Sequence, residues 1–215
     1  MSGGDGRAER VLEVRGLGRR FGEHEVIANL DFWIAPGERL AVTGANGSGK
    51  TTLLRCISGT LAPSEGSVLI RSYDASSLEA RRRTGISLSQ ERSFYLRLTG
   101  RDNLLFFARL RHKRERDARR AVDAIVEEME LAEIAAERTS RCSTGMIQQL
   151  AFGRALLGDP ELLVLDEPTR SLDFGAVARL WAAIARRPSI AALVATHRSE
   201  DIDRCDRRIH LGGEA

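Results

Sequence analysis

The chain has 215 residues, of which 42% are hydrophobic and 29% are charged, and its formal net charge is +3. A chain of this length can bury one sizeable core, and so small a net charge does not by itself indicate a nucleic-acid partner. No apolar run approaches the roughly 20 residues of a membrane-spanning helix, residues 1–9 contain no apolar signal core, and the few, widely spaced cysteines predict reduced structural thiols, so we expect a cytoplasmic protein with a flexible N-terminus.

The first third of the chain alternates between strand signals and turn signals. Strands are predicted over 11–14, 25–34, 38–43 and 66–70, where apolar residues alternate or cluster between turns that contain Pro and Gly. The strand at 38–43 leads directly into a glycine-rich segment. The sequence therefore predicts β-rich flanks around that segment.

The glycine-rich segment fits the pattern G-x-x-x-x-G-K-[ST] of a phosphate-binding loop. Its glycines let the backbone curl so that N–H groups point at a triphosphate, and a helix that begins near Gly49 adds partial positive charge. Lys50 is expected to reach the β- and γ-phosphates, and Thr51 to bind Mg²⁺. The only other lysine of the sequence is at position 113, so the lysine at position 50 indicates that the loop requires a compact cation there. The predicted nucleotide contacts are Gly44, Ala45, Asn46, Gly47, Ser48, Gly49, Lys50, Thr51 and Thr52.

The middle of the chain has a helical pattern. Residues 101–110 are rich in apolar side chains, and apolar residues recur at helical spacing between 114 and 131. The basic run at 109–120 is interleaved with acids, which favours a solvated helix face, and it lacks the aromatic residues of a nucleic-acid stacking platform. We therefore predict an inserted helical lobe at about residues 95–145, and no nucleic-acid partner.

The last third alternates between helices and strands. Helices are predicted over 144–157 and 174–186, strands over 161–165, 191–196 and 208–211, and a short helix after His197. Alternation of this kind predicts an α/β fold whose mainly parallel sheet lies between helices. The nucleotide is then expected beyond the carboxyl ends of the strands.

Two carboxylates, Asp166 and Glu167, end the apolar strand of this last third. In P-loop NTPases an aspartate at this point holds Mg²⁺, and Asp166 fits that role. Glu167 is then positioned to orient and activate the attacking water. Two acids at a strand end are by themselves equally consistent with an exposed turn, but the phosphate-binding loop upstream favours the catalytic interpretation.

A short segment before this strand resembles the signature sequence of ABC-type ATPases. The segment is Ser143-Thr144-Gly145-Met146, and the usual form in that family is Leu-Ser-Gly-Gly-Gln, so Cys142, Thr144 and Met146 replace the leucine, the first glycine and the glutamine. The resemblance spans residues 10–211. It implies a single ABC-type ATPase domain over 10–215 with a P-loop NTPase core, an N-terminal antiparallel β subdomain and the helical lobe.

Other motifs resemble the family in the family's order. Phe21 is similar to the aromatic residue that stacks on adenine, and His197 to the histidine that contacts the γ-phosphate, although either residue alone also reads as structural. Gln90 looks like the glutamine that senses Mg²⁺ and the attacking water, and 171–173 is similar to the family's D-loop. The resemblance implies ATP and Mg²⁺ as cofactors, and it implies these roles: Glu167, His197 and Gln90 catalytic; Thr51, Gln90 and Asp166 at the metal; Phe21 and Asp173 at the nucleotide.

The resemblance also implies partners. In this family ATP lies between the phosphate-binding loop of one subunit and the signature of another, which implies a head-to-tail homodimer or heterodimer with Ser143, Thr144 and Gly145 on the partner's nucleotide. Residues 91–100 look like the segment of drug and polysaccharide exporters that lines a groove for a helix of a membrane-spanning permease subunit. Phe94 and Leu98 also read as core of the lobe. The implied protein is the ATP-hydrolysing subunit of an ABC exporter, peripheral at the inner face of the cell membrane.

Other functions stay open at the level of sequence. A soluble ABC-type ATPase that acts on nucleic acid or ribosomes usually carries two ATPase halves or a long coiled-coil insertion, and this sequence contains neither. Glu167 and His197 disfavour a nucleotide sensor that does not hydrolyse, and the signature and 171–173 disfavour a P-loop kinase. The cargo is not encoded here, because cargo selection in this family lies in the membrane subunit.

Overall fold

The computed structural model of the chain describes residues 10–88, 93–112 and 114–212. The predicted flexible N-terminus, residues 1–9, lies outside the described residues. The strands are β1 (Leu12–Phe21), β2 (His24–Ile34), β3 (Arg39–Thr43), β4 (Glu65–Ile70), β5 (Tyr73–Asp74), β6 (Thr84–Ser87), β7 (Leu162–Asp166), β8 (Ala191–Ala195) and β9 (Arg207–His210). The α-helices are α1 (Lys50–Ile57), α2 (Leu78–Arg82), α3 (Gly100–Arg111), α4 (Glu115–Glu128), α5 (Ala132–Ala136), α6 (Thr144–Leu156), α7 (Phe174–Ala185) and α8 (Ser199–Ile202).

The strands form two sheets. An antiparallel sheet has the order β2-β1-β4-β5, and a parallel sheet has the order β6-β7-β8-β3-β9. Parallel neighbours need crossover connections, and α7 supplies the one between β7 and β8. The predicted α/β class, the mainly parallel sheet and the N-terminal antiparallel sheet are confirmed.

The parallel sheet is buried on both faces. Leu162 and Val164 of β7 belong to a core shared with α1 and the antiparallel sheet, whereas Leu163 and Leu165 belong to a second core shared with the helices. Successive side chains of a strand point to opposite faces, so a strand covered on both sides reads as a continuous apolar run. This explains why 162–165 contains only Leu and Val.

The helical lobe is built on α6. Buried residues of α3, α4 and α5 share the second core with α6, including Leu104, Val122 and Leu150. Phe94 packs against this core, with its ring edge-on to Phe107 at a centroid distance of 6.3 Å, whereas Leu98 is exposed. The interpretation of 91–100 as lobe core is therefore right for Phe94 and wrong for Leu98.

Several element boundaries differ from the prediction. The helix predicted over 114–131 ends early, at Glu128, because Glu130 adopts a left-handed φ of 54°, and a separate helix, α5, begins at Ala132. β1 extends well beyond the predicted 11–14, since register shifts around Gly16 and Gly18 let it continue through bulges. The short elements α2 and β5 were not predicted, because so few residues show no periodicity.

Two expectations from composition can be compared with the structure. None of the helices in the described residues is long and apolar enough to cross a membrane. Cys56, Cys142 and Cys205 are free thiols. Burial raises the pKa of each, that of Cys205 to about 12, so the thiols stay protonated near neutral pH, as expected for structural cysteines.

Candidate nucleotide-binding site

A cleft of about 830 Å³ lies at the carboxyl ends of β3, β7 and β8. Its volume is typical of sites that bind a small molecule. Eight of the nine predicted loop contacts line it, all except Ser48, and so do Asp166, Glu167 and His197. The structure thus brings together residues from three separate parts of the chain, as the parallel sheet predicts. Sequence analysis missed two further lining residues, Val26 and Arg170.

The phosphate-binding loop wraps around its own lysine. Lys50 Nζ donates hydrogen bonds to the carbonyl oxygens of Gly44, at 2.8 Å, and Ala45, at 2.9 Å. Gly49 precedes α1 with φ 93°, and a Cβ there would lie 3.0 Å from both Val26 Cγ1 and the Val26 carbonyl oxygen. Only glycine combines this left-handed backbone with so close a neighbour, so the loop packs directly on β2.

The oxygen atoms expected to bind Mg²⁺ meet at the end of β7. Thr51 Oγ1 donates to Asp166 Oδ2 at 3.3 Å, although 115 residues separate them in the sequence. Hydroxyl and carboxylate oxygens suit Mg²⁺, which takes one or two protein carboxylates and fills its octahedron with water and substrate phosphates. In the part of the chain that the structure describes, no group of three or more His, Cys, Asp or Glu side chains could hold a metal ion. The Thr51 hydroxyl and the Asp166 carboxylate fit a Mg²⁺ whose other ligands would be water and the phosphates of a nucleotide.

Glu167 is held in an unusual conformation beside His197. His197 Nδ1 lies 2.8 Å from Glu167 Oε1, whereas Glu167 Oε2 is buried and has no hydrogen-bond partner among the described residues. The backbone φ of Glu167 is 48°, a left-handed value that is uncommon outside glycine and is often found at functional sites. The Glu167 N–H donates to Ala195 O at 2.8 Å, which ties this residue to the end of β8. A strained backbone and a buried oxygen without a partner are both consistent with a ligand-binding role.

Gln148 contacts the main chain of Glu167 and was not predicted from the sequence. Its Nε2 donates to the Glu167 carbonyl oxygen at 2.6 Å, and Gln148 lies on α6, one residue beyond Ile147, which follows the signature segment. A single glutamine on a helix carries no pattern that would single it out. The structure thereby links the signature helix to the loop that carries Glu167.

Gln90 and Phe21 are two of the predicted residues that are not seen at the cleft. Gln90 lies outside the described residues. Phe21 ends β1 with 48% of its surface exposed and does not line the cleft in the described part of the chain. The Arg19 guanidinium carbon lies 4.4 Å from the Phe21 ring centroid and covers one face of the ring. The role of Phe21 at adenine stays a prediction.

The signature segment does not line the cleft among the described residues. Ser143 caps α6, with its Oγ accepting from the Met146 N–H at 3.2 Å. A Cβ at Gly145 would lie 2.4 Å from the Ser171 carbonyl oxygen, so only glycine lets α6 approach the 171–173 segment. Ser143, Gly145 and Asp173 are absent from the lining of the cleft, and Thr144 lines a neighbouring hollow of about 360 Å³ that Asp166 and Glu167 also line.

Asp173 is already used within its own chain. Its Oδ1 accepts from the Ala176 N–H at 2.8 Å and thereby caps α7. Ser171, two residues earlier, lies against Gly145 through its carbonyl oxygen. Its predicted role at a nucleotide stays a prediction.

Comparison with known proteins gives relatives along nearly the whole chain. The chain is 33% identical over 208 residues to the daunorubicin resistance ATP-binding protein DrrA3 of Streptomyces coeruleorubidus. The aligned region covers 95% of this chain and 66% of that protein. It is 35% identical over 204 residues to the Nod factor export ATP-binding protein I of Rhizobium meliloti, and this alignment covers 92% of this chain and 60% of that protein. The chain thus spans slightly less than two thirds of the length of these relatives.

Solved structures show the same fold. A dimeric post-hydrolysis state of the ATP-binding cassette MJ0796, bound to ADP and Pi, superposes with a TM-score of 0.83 at 23% identity, covering 93% of this chain and 94% of that one. A family model described as ABC transporter matches residues 27–170, which include the phosphate-binding loop, the signature segment, Asp166 and Glu167. The chain therefore belongs to the ABC transporter family, as one of its ATP-binding domains.

Proposed function

We propose that this chain binds Mg²⁺-ATP and hydrolyses it to power export through a separate membrane subunit. The observation that carries the proposal is the meeting of Lys50, the Thr51–Asp166 pair and the Glu167–His197 pair in one cleft. Phosphate contacts, metal ligands and a candidate base then surround the same volume. Hydrolysis by such a site consists mostly of positioning and electrostatic stabilisation.

Different residues of the cleft would bind the phosphates, hold the metal ion and accept the proton of the attacking water. The loop N–H groups and Lys50 would bind the β- and γ-phosphates, and Thr51, Asp166 and Gln90 would hold Mg²⁺, which when bound neutralises charge on those phosphates. A water oxygen attacks the γ-phosphorus, the bond from that phosphorus to the β–γ bridging oxygen breaks, and the water proton passes to Glu167. The contact at Oε1 orients His197, whose ring would reach the γ-phosphate.

The position of the signature supports a head-to-tail pair of ATPase subunits. Ser143 and Gly145 lie outside the chain's own cleft, next to the 171–173 segment, so they would complete the cleft of a partner. Phe174 directly follows this segment and is 95% exposed. A fully exposed Phe is typical of a surface that a partner covers. The pair would be a homodimer or a heterodimer, with Thr144 and Asp173 also at the interface.

The surface of the helical lobe supports contact with a permease. Asn103 is buried and bonds both main-chain groups of Tyr95, accepting from its N–H at 2.7 Å and donating to its carbonyl at 3.1 Å. This anchor holds Tyr95 and Leu96 at the surface, where both are exposed. The names of the relatives DrrA3 and Nod factor export protein I are those of drug-resistance and export proteins. We propose that a helix of an export permease covers this surface and holds the chain at the inner face of the membrane.

Lys50→Ala tests the phosphate-binding loop. The substitution removes a cation that contacts the phosphates in the ground state, so ATP affinity should fall roughly tenfold to hundredfold. Isothermal titration calorimetry with ATP measures this change. Arg55→Ala removes an exposed cation from the same helix and is the matched control, with unchanged affinity expected. Equal affinity in Lys50→Ala and the wild type would contradict the assignment.

Glu167→Gln tests the catalytic carboxylate. The amide keeps the shape but cannot accept the water proton, so kcat should fall about 10²- to 10⁴-fold. ATP affinity should persist, and an ATP-stabilised dimer should accumulate in size-exclusion chromatography. Glu161→Gln, which makes the same change just before the opposite end of β7, should turn over normally. Wild-type turnover in Glu167→Gln would refute its role as base.

Ser143→Arg tests the composite site. A bulky cation where the partner's γ-phosphate and Mg²⁺ must approach should abolish the ATP-dependent dimer but leave ATP binding by the monomer intact. Arginine also removes the α6 cap, so Ser143→Asp serves as a second variant that keeps a capping acceptor and repels the phosphate. Ser189→Arg, at the opposite end of the parallel sheet, is the control. If dimerisation and turnover survive in both Ser143 variants, the head-to-tail arrangement is wrong.

Tyr95→Glu combined with Leu96→Glu tests the permease surface. Two new charges on this surface should prevent co-purification with the membrane subunit, while folding and ATP binding persist because the cleft is elsewhere. The control is Tyr73→Glu with Leu78→Glu, which charges another exposed tyrosine and a leucine as exposed as Leu96, both at 62%. An undiminished pull-down, or a thermal melt that shows loss of folding in the double variant, would contradict the proposal.

A further inference from the structure

A buried carboxylate lies behind the Glu167–His197 pair. Asp201, in α8, is only 1% exposed, and its surroundings are equally buried. Its side chain accepts hydrogen bonds from three groups, the hydroxyls of Thr169 and Thr196 and the indole N–H of Trp181. We call these four residues the Asp201 network. None of them lines the nucleotide cleft in the part of the chain that the structure describes.

The three donors come from three different segments. Thr196 Oγ1 lies 3.3 Å from Asp201 Oδ2, and the Thr169 hydroxyl contacts the same oxygen. Trp181 Nε1 lies 3.1 Å from Oδ1 and belongs to α7. Thr169 lies two residues after Glu167, and Thr196 directly precedes His197. One carboxylate therefore joins the two loops that carry the Glu167–His197 pair and fastens both to a helix.

Main-chain pairing holds the two loops together only at their starts. The pairing of β7 with β8 ends at Asp166 and Ala195, and the next main-chain bond between the two strand ends is from Glu167 N to Ala195 O. After that point side chains bridge the loops. Arg198 reinforces the same junction, because its N–H donates to Thr196 Oγ1 and its Nη1 donates to Thr169 O, both at 3.1 Å.

We propose that Asp201 is a positioning residue for ATP hydrolysis: it holds the His197 loop against the Glu167 loop so that His197 Nδ1 stays on Glu167 Oε1. A buried carboxylate costs free energy unless its oxygens are hydrogen-bonded, and here it is fastened to both loops. The inference rests on the proposed roles of Glu167 and His197. Loosening the junction would misplace both groups and leave the phosphate-binding loop unchanged.

The experiment measures ATP turnover, ATP affinity and thermal stability of Asp201→Asn. The amide supplies one acceptor and two donors where three donors converge, so the junction loosens without loss of volume. Displacements of about 1 Å can cost up to about a hundredfold in rate, so we expect kcat to fall tenfold or more. KM and calorimetric ATP affinity should stay within about twofold, since ground-state binding depends on the loop after β3.

A second pair of variants keeps the test decisive if Asp201→Asn folds poorly. Thr196→Val keeps the side-chain shape but removes the hydroxyl, and it should lower kcat as Asp201→Asn does. Thr196→Ser restores the hydroxyl and should restore kcat. Glu128→Gln is the matched control for general destabilisation, because it neutralises another carboxylate that bonds several donors, Arg186 and Arg187, where the C-terminal ends of α4 and α7 meet.

The outcomes separate this inference from the proposed function. The inference is overturned if kcat is unchanged in Asp201→Asn or Thr196→Val. It is equally overturned if Glu128→Gln lowers kcat as much at the same loss of melting temperature, or if Thr196→Ser fails to restore kcat. Glu167→Gln and His197→Ala are run in the same assay. If these two turn over normally, the proposed catalytic roles fail, whatever Asp201→Asn does.

Discussion

The parallel pairing of β3, β7 and β8 is the constraint on which the site depends. Because these strands run in the same direction, their carboxyl ends deliver the phosphate-binding loop, Asp166 and the His197 loop to one edge. Burial on both faces by two separate cores keeps that edge rigid. Catalysis by positioning needs such rigidity, since loops anchored on a tightly packed sheet hold their side chains to a fraction of an ångström.

Two contacts of α6 connect this edge of the sheet to the surface that we propose for the partner subunit. Gly145 lets the signature helix α6 rest on the Ser171 carbonyl, and Gln148 on the same helix donates to the Glu167 carbonyl. A partner that contacts Ser143 would therefore contact α6, the helix that is hydrogen-bonded to the loop that carries Glu167. This arrangement would let closure of the proposed dimer affect the proposed hydrolysis. The Asp201 network would hold the same loop through Thr169.

The helical lobe packs against the same helix. α3, α4 and α5 share a core with α6, and Arg154 of α6 places its guanidinium over the rings of Phe94 and Phe107, about 5 Å from each centroid. The exposed Tyr95 and Leu96 follow Phe94 directly. Force applied at this surface by a permease would reach α6 through packed side chains, and α6 contacts the loop that carries Glu167.

The sequence by itself determined the parts that are local. The phosphate-binding loop is one contiguous pattern, the strand at 162–165 is a continuous apolar run, and helical periodicity marks α4 and α6, so each could be predicted from neighbouring residues. Tertiary structure alone decided which distant groups meet. The Glu167–His197 contact joins residues 30 apart, and the Thr169–Asp201 contact joins residues 32 apart. No spacing rule predicts such pairs, because they depend on how two loops leave a sheet and on the left-handed backbone at Glu167, and packing around the whole domain sets both.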